Sequence, residues 1–324
     1  MGNLAVPAAK RKIWVAGHRG MVGSAILRRL AEVDAELLTV DRRDVDLREQ
    51  DAVRQWVARA KPDVIILAAA KVGGILANES SPADFLFDNL AIETNVIQAA
   101  HLAGVERLIF LASSCIYPKF APQPIEEGAL LTGPLEATNE GYAIAKIAGI
   151  KMCQALARQY GRRYSSVIPC NLYGQNDNFD LSTSHVLPAL IRKFHAAKAA
   201  GDAEVVVWGT GTPLREFLHA DDLADAVVFL MDHYDVSEPI NCGAGFDVSI
   251  RELAEMVGRA AEFSGKLIFD SSKPDGTPRK LMDSSRLMAL GWRPKTGLEE
   301  GIEEVYRWYA ETESRKLPLR PGAR

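Results

Sequence analysis

The chain has 324 residues, 25% of them charged and 48% hydrophobic, with a net charge of −4. That length and balance suit one large α/β unit or two modest domains, and a mildly acidic chain lacks the basic face that general nucleic-acid binding requires. No apolar run reaches the ~18 residues of a membrane-spanning helix, and the short apolar stretch near the N-terminus is too brief for a secretory signal, so it reads as a lead-in to the first strand.

Short apolar runs then alternate with helical patterns. Residues 12–16 read as a strand ending in Gly17, 21–32 as a helix, 37–40 as a second strand and 49–60 as a second helix. An apolar run at 63–70 follows, then a long helix at 82–103, a strand at 107–112, a helix at 140–160 and a strand at 164–168. Such alternation implies right-handed crossovers and a parallel sheet, and near-continuous apolar strands are those covered on both faces. Beyond Asn171 the pattern loosens, with helices at 185–200, 221–233, 250–262 and 298–309 and short strands at 204–207 and 266–269. The expected fold is α/β: a Rossmann-type doubly wound parallel sheet over residues 1–172, then a smaller mixed α/β substrate domain over 173–324, with some segments crossing back. The tail from Lys316 reads as a loose terminus. Cys115, Cys153, Cys170 and Cys242 are scattered without a CxxC pair, which argues against a metal site or a disulfide framework and for a reduced, cytoplasmic enzyme.

Gly17, His18, Arg19, Gly20, Met21, Val22 and Gly23 follow a strand and open a helix. The first glycine permits the turn, the second admits a pyrophosphate close to the backbone, and the third lets helix and sheet pack tightly. The helix N-terminus offers free N–H groups to the phosphate. The second predicted strand ends beside Asp41, Arg42 and Arg43. An acidic residue there suits the ribose hydroxyl of NAD and an arginine the 2′-phosphate of NADP; with Arg19 nearby, NADP(H) is the expected cofactor. Asp46 and Leu47 are placed to reach the adenine edge.

Tyr142 and Lys146 are four apart on a helical stretch and share one face. A phenol has an ordinary pKa of about 10, and a neighbouring ammonium favours its ionised form. Ser113, Ser114 and Cys115 end a buried strand, where ligands bind in open α/β sheets. A serine there can bond a substrate carbonyl while the tyrosine donates a proton. His185 is either a second acid–base group or a helix-terminal phosphate contact.

The segments AGHRGMVGS (16–24), AAAKVGGI (68–75), SSCIYPK (113–119), YAIAKIAG (142–149), NLYG (171–174), SHV (184–186), VWG (207–209), REFLH (215–219) and KPDGTPRK (273–280) resemble the GDP-L-fucose synthase family of extended short-chain dehydrogenase/reductases. The resemblance runs from Lys12 to about Tyr309. It implies NADPH-dependent 3,5-epimerisation and 4-reduction of GDP-4-keto-6-deoxy-D-mannose, with Cys115 and His185 as the acid–base pair and Ser113, Tyr142 and Lys146 serving the ketone and the cofactor. It also implies cofactor contacts at Leu111, Ala112, Ser113, Ser114, Pro169, Cys170, Asn171, Leu172 and His185, and GDP contacts at Lys193, Trp208, Arg215, Asp275 and Lys280. Cys170, Asp180 and Lys193 stand where the family often has threonine, histidine and arginine.

Two other functions compete. A nucleotide-sugar 4,6-dehydratase wants an Asp-Glu pair where Cys115 and Ile116 stand, and a simple 4-epimerase needs no Cys–His pair. A non-enzymatic NADP-sensing regulator can dispense with Tyr142 and Lys146. By analogy, the helices at 82–103 and 140–160 pair across a two-fold axis, so a homodimer is expected, with a GDP-sugar as the small-molecule partner and neither nucleic acid nor membrane.

Overall fold

A computed structural model of the chain describes residues 10–273 and 275–316. The predicted lead-in up to residue 9 and the tail beyond Lys316 lie outside the described residues. The chain opens with β1 (Arg11–Ala16), α1 (Met21–Leu30), β2 (Ala35–Leu38), α2 (Gln50–Ala60), β3 (Val64–Leu67), α3 (Ile75–Ser80) and α4 (Pro82–Leu102). It continues with β4 (Arg107–Leu111), α5 (Glu140–Tyr160), β5 (Arg163–Pro169) and β6 (Asn171–Tyr173). Every residue of β3 and of β4 is buried, as expected of strands covered on both faces. The second half brings α6 (Val186–Ala200), β7 (Glu204–Trp208), β8 (Leu214–Arg215), β9 (Phe217–His219), α7 (Ala220–His233) and β10 (Ile240–Cys242). It ends with β11 (Val248–Ser249), α8 (Ile250–Ala260), β12 (Lys266–Asp270), β13 (Arg279–Lys280), α9 (Ser285–Ala289) and α10 (Leu298–Lys316).

The main sheet has six strands in the order β10-β5-β4-β3-β1-β2, and every pairing in it is parallel. Helices α1 and α7 pack on each other, and α4 packs on both α2 and α5. The order reverses between β1 and β3, the switch point beyond which open α/β sheets place their ligands.

Two apolar cores follow. The first is built on the main sheet and takes in Leu223, Val227 and Met231 of α7, Ile240 of β10, and Leu287 and Trp292 near the C-terminus. The second joins Leu187 and Phe194 of α6, Val205 of β7, Leu253 of α8 and Ile302 of α10. The chain therefore returns to the first core after residue 172. Strand β10 escapes sequence reading because three residues are too few to show a period. Helix α10 outruns its expected end because no glycine or proline follows Tyr309 until Pro318. Among the described residues no helix is long and apolar enough to cross a membrane.

Candidate active site

A cleft of about 810 Å³ lies beyond the carboxyl ends of the central strands, and every predicted cofactor residue except Arg43 lines it. At one end is the glycine turn. Gly17 has φ +90°, and a Cβ there would lie 2.6 Å from the backbone nitrogen of Ala69. A Cβ on Gly23 would overlap the carbonyl oxygen of Gly17. Gly20 caps α1 without a side-chain bond to the first-turn N–H groups, and that turn carries no acidic residue. These donors and the positive end of the helix dipole face the cleft, the arrangement that binds a diphosphate.

The next part of the cleft is ringed by charge. Arg19 bonds Asp41 at 2.5 Å, and His18 Nε2 lies 3.3 Å from the other oxygen of Asp41. Arg42 lines the cleft and lies 3.5 Å from Asp46. Asp46 is held more tightly by Arg48, at 2.7 Å, and that bond lowers its pKa to about 2. Arg48 reaches on to Asp88, which also receives Lys71 at 3.0 Å. Arg43 is exposed and turned away from the lining. Arg59, not anticipated from the sequence, lines an adjoining pocket with Arg19, Asp41 and Trp56.

At the other end β4 delivers its serines. Ser113 accepts a bond from the backbone N–H of Cys115 at 3.4 Å, which caps the short helical turn Ser114–Ile116 and fixes the thiol. Helix α5 presents Tyr142 and Lys146 from one face. The Lys146 ammonium donates to the Leu111 carbonyl at 3.0 Å and pairs with Glu93 at 2.8 Å, both side chains being buried. It lies 5.8 Å from the Tyr142 ring centroid. Sequence reasoning gives Lys146 the task of favouring the phenolate; here its charge is met by Glu93. Burial holds Tyr142 well above the ordinary phenol pKa, reinforced by Cys115 and Glu93, with the Ser113 hydroxyl pulling the other way. The phenol is therefore protonated at neutral pH, the form that donates a proton.

His185 caps the N-terminus of α6 in extended conformation. Its pKa is lowered by burial and by Lys280. The thiol of Cys115 is raised by burial, against an opposing pull from the same Lys280. Tyr142 and His185 both line the cleft, Cys115 is buried two residues beyond the lining Ser113, and the Lys280 ammonium bears on both Cys115 and His185. The parallel pairing of β13 with β8 sets Lys280 beside Arg215. Burial lowers the Arg215 pKa, with the carboxylates of Asp275 and Glu136 opposing. Asp275 accepts from the backbone N–H of Thr210 at 2.7 Å and from its hydroxyl at 2.8 Å. Lys193 donates to the Val206 carbonyl at 2.9 Å and sits 5.4 Å over the Trp208 ring. Trp208 is 48% exposed, and Lys273 also sits 5.6 Å over its ring.

Three participants left no signal in the sequence. Glu93 lies inside a long helix, Glu136 in a loop, and Asp177 in an Asn-rich run. Asp177 lines the cleft, and burial pushes its carboxyl up to about 7.

A parallel sheet with this glycine turn at its first crossover, and a serine delivered to a Tyr–Lys helix, defines the extended short-chain dehydrogenase/reductase class. Residues 13–243 match the NAD dependent epimerase/dehydratase family, and the chain belongs to that family. GDP-L-fucose synthase 1 of Arabidopsis thaliana is 60% identical over 299 residues, covering 92% of this chain and 93% of its own. GDP-L-fucose synthase of Escherichia coli (strain K12) is 51% identical over 317 residues, covering 95% and 99%. The solved structure of a GDP-L-fucose synthetase from Naegleria fowleri bound to NADP superposes with a TM-score of 0.86 at 30% identity, covering 96% of this chain and 97% of that one. Within the family the chain falls among the GDP-L-fucose synthases, and a nicotinamide cofactor is its redox partner.

Proposed function

We propose that this enzyme converts GDP-4-keto-6-deoxy-D-mannose to GDP-L-fucose, epimerising C3 and C5 and then reducing C4 with NADPH. The observation that carries this reading is that Ser113, Tyr142, Lys146 and His185 line one cleft with the glycine turn, with Cys115 held two residues beyond Ser113. The substrate's C4 ketone acidifies the hydrogens on C3 and C5, because the carbanion left behind is an enolate. Inversion at each centre takes a base on one face and an acid on the other. The His185 pKa is lowered and that of Cys115 is raised, so the pair starts with a neutral imidazole as acceptor and a thiol as donor. Ser113 and Tyr142 bond the ketone oxygen and hold the enolate charge. Bound NADPH supplies the hydride for C4, and Tyr142 gives its proton to O4. Lys146 is placed for the nicotinamide ribose.

Residues 17–23 fit the cofactor diphosphate. Asp41 is already engaged by Arg19 and His18, which leaves Arg42 to receive a 2′-phosphate and supports NADP over NAD. Lys280, Arg215 and Lys193 offset the GDP diphosphate charge, with Trp208 as a stacking surface and Asp275 beside them. On this reading residues 1–172 bind cofactor and residues 173–324 bind the nucleotide-sugar, with α7 and β10 returning to the first unit. The enzyme acts in the cytoplasm as a homodimer joined through α4 and α5, where Phe87 and Ile144 are exposed. Incubation with GDP-4-keto-6-deoxy-D-mannose and NADPH tests the activity. One NADPH consumed per GDP-L-fucose formed is expected, and unchanged substrate or recovery of a 4-epimer without net oxidation of NADPH overturns the reading.

A further inference from the structure

The segment AKVGGI (70–75) runs from the end of β3 into α3; Ala70, Lys71 and Val72 line the cleft and its paired glycines do not. Gly74 donates its N–H to the carbonyl of Thr183 at 2.8 Å. A Cβ on Gly74 would overlap the carbonyl oxygen of Ser184, and one on Gly73 would lie 3.0 Å from Ala77 Cβ and 3.1 Å from the Phe85 ring. Asn78, 5% exposed, clasps the pair from inside, its amide donating to the carbonyls of Gly73 at 2.7 Å and Gly74 at 3.0 Å. Within the facing segment, Thr183 and Ser184 donate their N–H groups to the Asp180 carbonyl at 3.2 and 2.8 Å. Residues 183–184 are thus gripped between Gly74 and the Asp180 turn, and the next residue is His185.

We propose that Gly74 and Asn78 are positioning residues for His185: they fix the Ser184 backbone and with it the place of the imidazole in the cleft. The claim rests on the reading of His185 as an acid–base group in epimerisation. The clash partner at Gly74 is a main-chain carbonyl, so a methyl group there cannot be relieved by a rotamer change. It must push the 183–185 backbone outward, and a displacement of about 1 Å at a catalytic group can cost ~100-fold in rate. Glycine at 74 is required by this close approach and not by its φ of −67°.

The test compares wild type, Gly74→Ala, Asn78→Ala and His185→Gln as full-length proteins. Solvent deuterium exchange into GDP-4-keto-6-deoxy-D-mannose is followed with NADP+ bound, together with NADPH affinity, thermal melting and an NMR titration of the His185 ring. Gly74→Ala is expected to lose tenfold or more in the exchange kcat, with KM and NADPH affinity within about twofold of wild type. Its His185 pKa should move up toward the ordinary value of about 6.5 as the ring moves away from Lys280 and the cleft wall. Asn78→Ala removes two bonds without adding a clash, so the same changes are expected at smaller size, and it carries the test if Gly74→Ala does not fold. A His185 titration unmoved in the folded variants, or exchange and NADPH binding lost in equal measure, overturns the positioning claim. Full exchange in His185→Gln overturns the role given to His185 instead, while the NMR titration still decides what Gly74 and Asn78 position.

Discussion

The ammonium of Lys146 lies 2.8 Å from the carboxylate of Glu93, and neither side chain reaches water. Burial raises the Glu93 carboxyl, with Lys146 opposing, and the pair stands directly behind Tyr142. Removing one member of a buried pair strands the other charge, at about 3–5 kcal/mol. Glu93→Gln is therefore expected to lose stability of that order in urea unfolding. Because the Glu93 charge raises the Tyr142 pKa, the substitution should also move the alkaline limb of the reduction rate to lower pH. A loss under about 1 kcal/mol with an unmoved limb contradicts the assignment.

Epimerisation and reduction should come apart under mutation. Tyr142→Phe removes the proton donor to O4 and is expected to slow C4 reduction about 10²–10⁴-fold, while exchange at C3 and C5 continues. Cys115→Ser should do the reverse: exchange falls and NADPH binding holds. Product analysis by mass spectrometry separates the two, and parallel loss of both steps in each variant contradicts the division of labour.

The pH dependence of exchange follows from His185 and Cys115. The imidazole acts as base when neutral, and its pKa is lowered, so activity should fall on the acid side with a midpoint below the ordinary 6.5. The thiol acts as acid when protonated, and its pKa is raised, so the alkaline fall should come above the ordinary thiol value of about 8.5. The result is a broad plateau through neutral pH. A narrow bell centred near pH 7 contradicts these protonation states.

Cofactor binding gives a fourth check. Gly17→Ala puts a methyl group 2.6 Å from the Ala69 nitrogen at a φ of +90°, a backbone region that costs a non-glycine residue about 1–2 kcal/mol. NADPH affinity should drop tenfold or more, read by fluorescence titration. Arg42→Ala should weaken NADPH binding about tenfold and leave NADH binding unchanged, because only NADPH has a 2′-phosphate for the guanidinium to meet. Equal weakening of both cofactors contradicts the role of Arg42.

The parts of this enzyme that repeat a pattern were legible before the structure. The run of apolar strands, the turn Gly17 to Gly23, and Tyr142 with Lys146 on one helical face each carry a local spacing that physics ties to a shape. The contact from Glu93 to Lys146 spans 53 positions of sequence (146 − 93) and joins two different helices, so no local period announces it. Lys280 bears electrostatically on Cys115 and His185 from β13, a two-residue strand paired with β8, and such a strand has no pattern to read. Arg43 was grouped with Arg42 by adjacency, but successive residues of a turn point in different directions. The segment containing Gly73 and Gly74 was visible as a motif, while its purpose, close passage of residues 183–184, exists only in three dimensions.

The central claim is that thiol, imidazole and phenol work on one sugar ring beside the nicotinamide. Turnover of GDP-4-keto-6-deoxy-D-mannose with NADPH in deuterated water reads it most directly, with the product examined by NMR. GDP-L-fucose carrying solvent deuterium at both C3 and C5 and cofactor hydrogen at C4 is expected. A reduced product that retains its original hydrogens at C3 and C5 contradicts it.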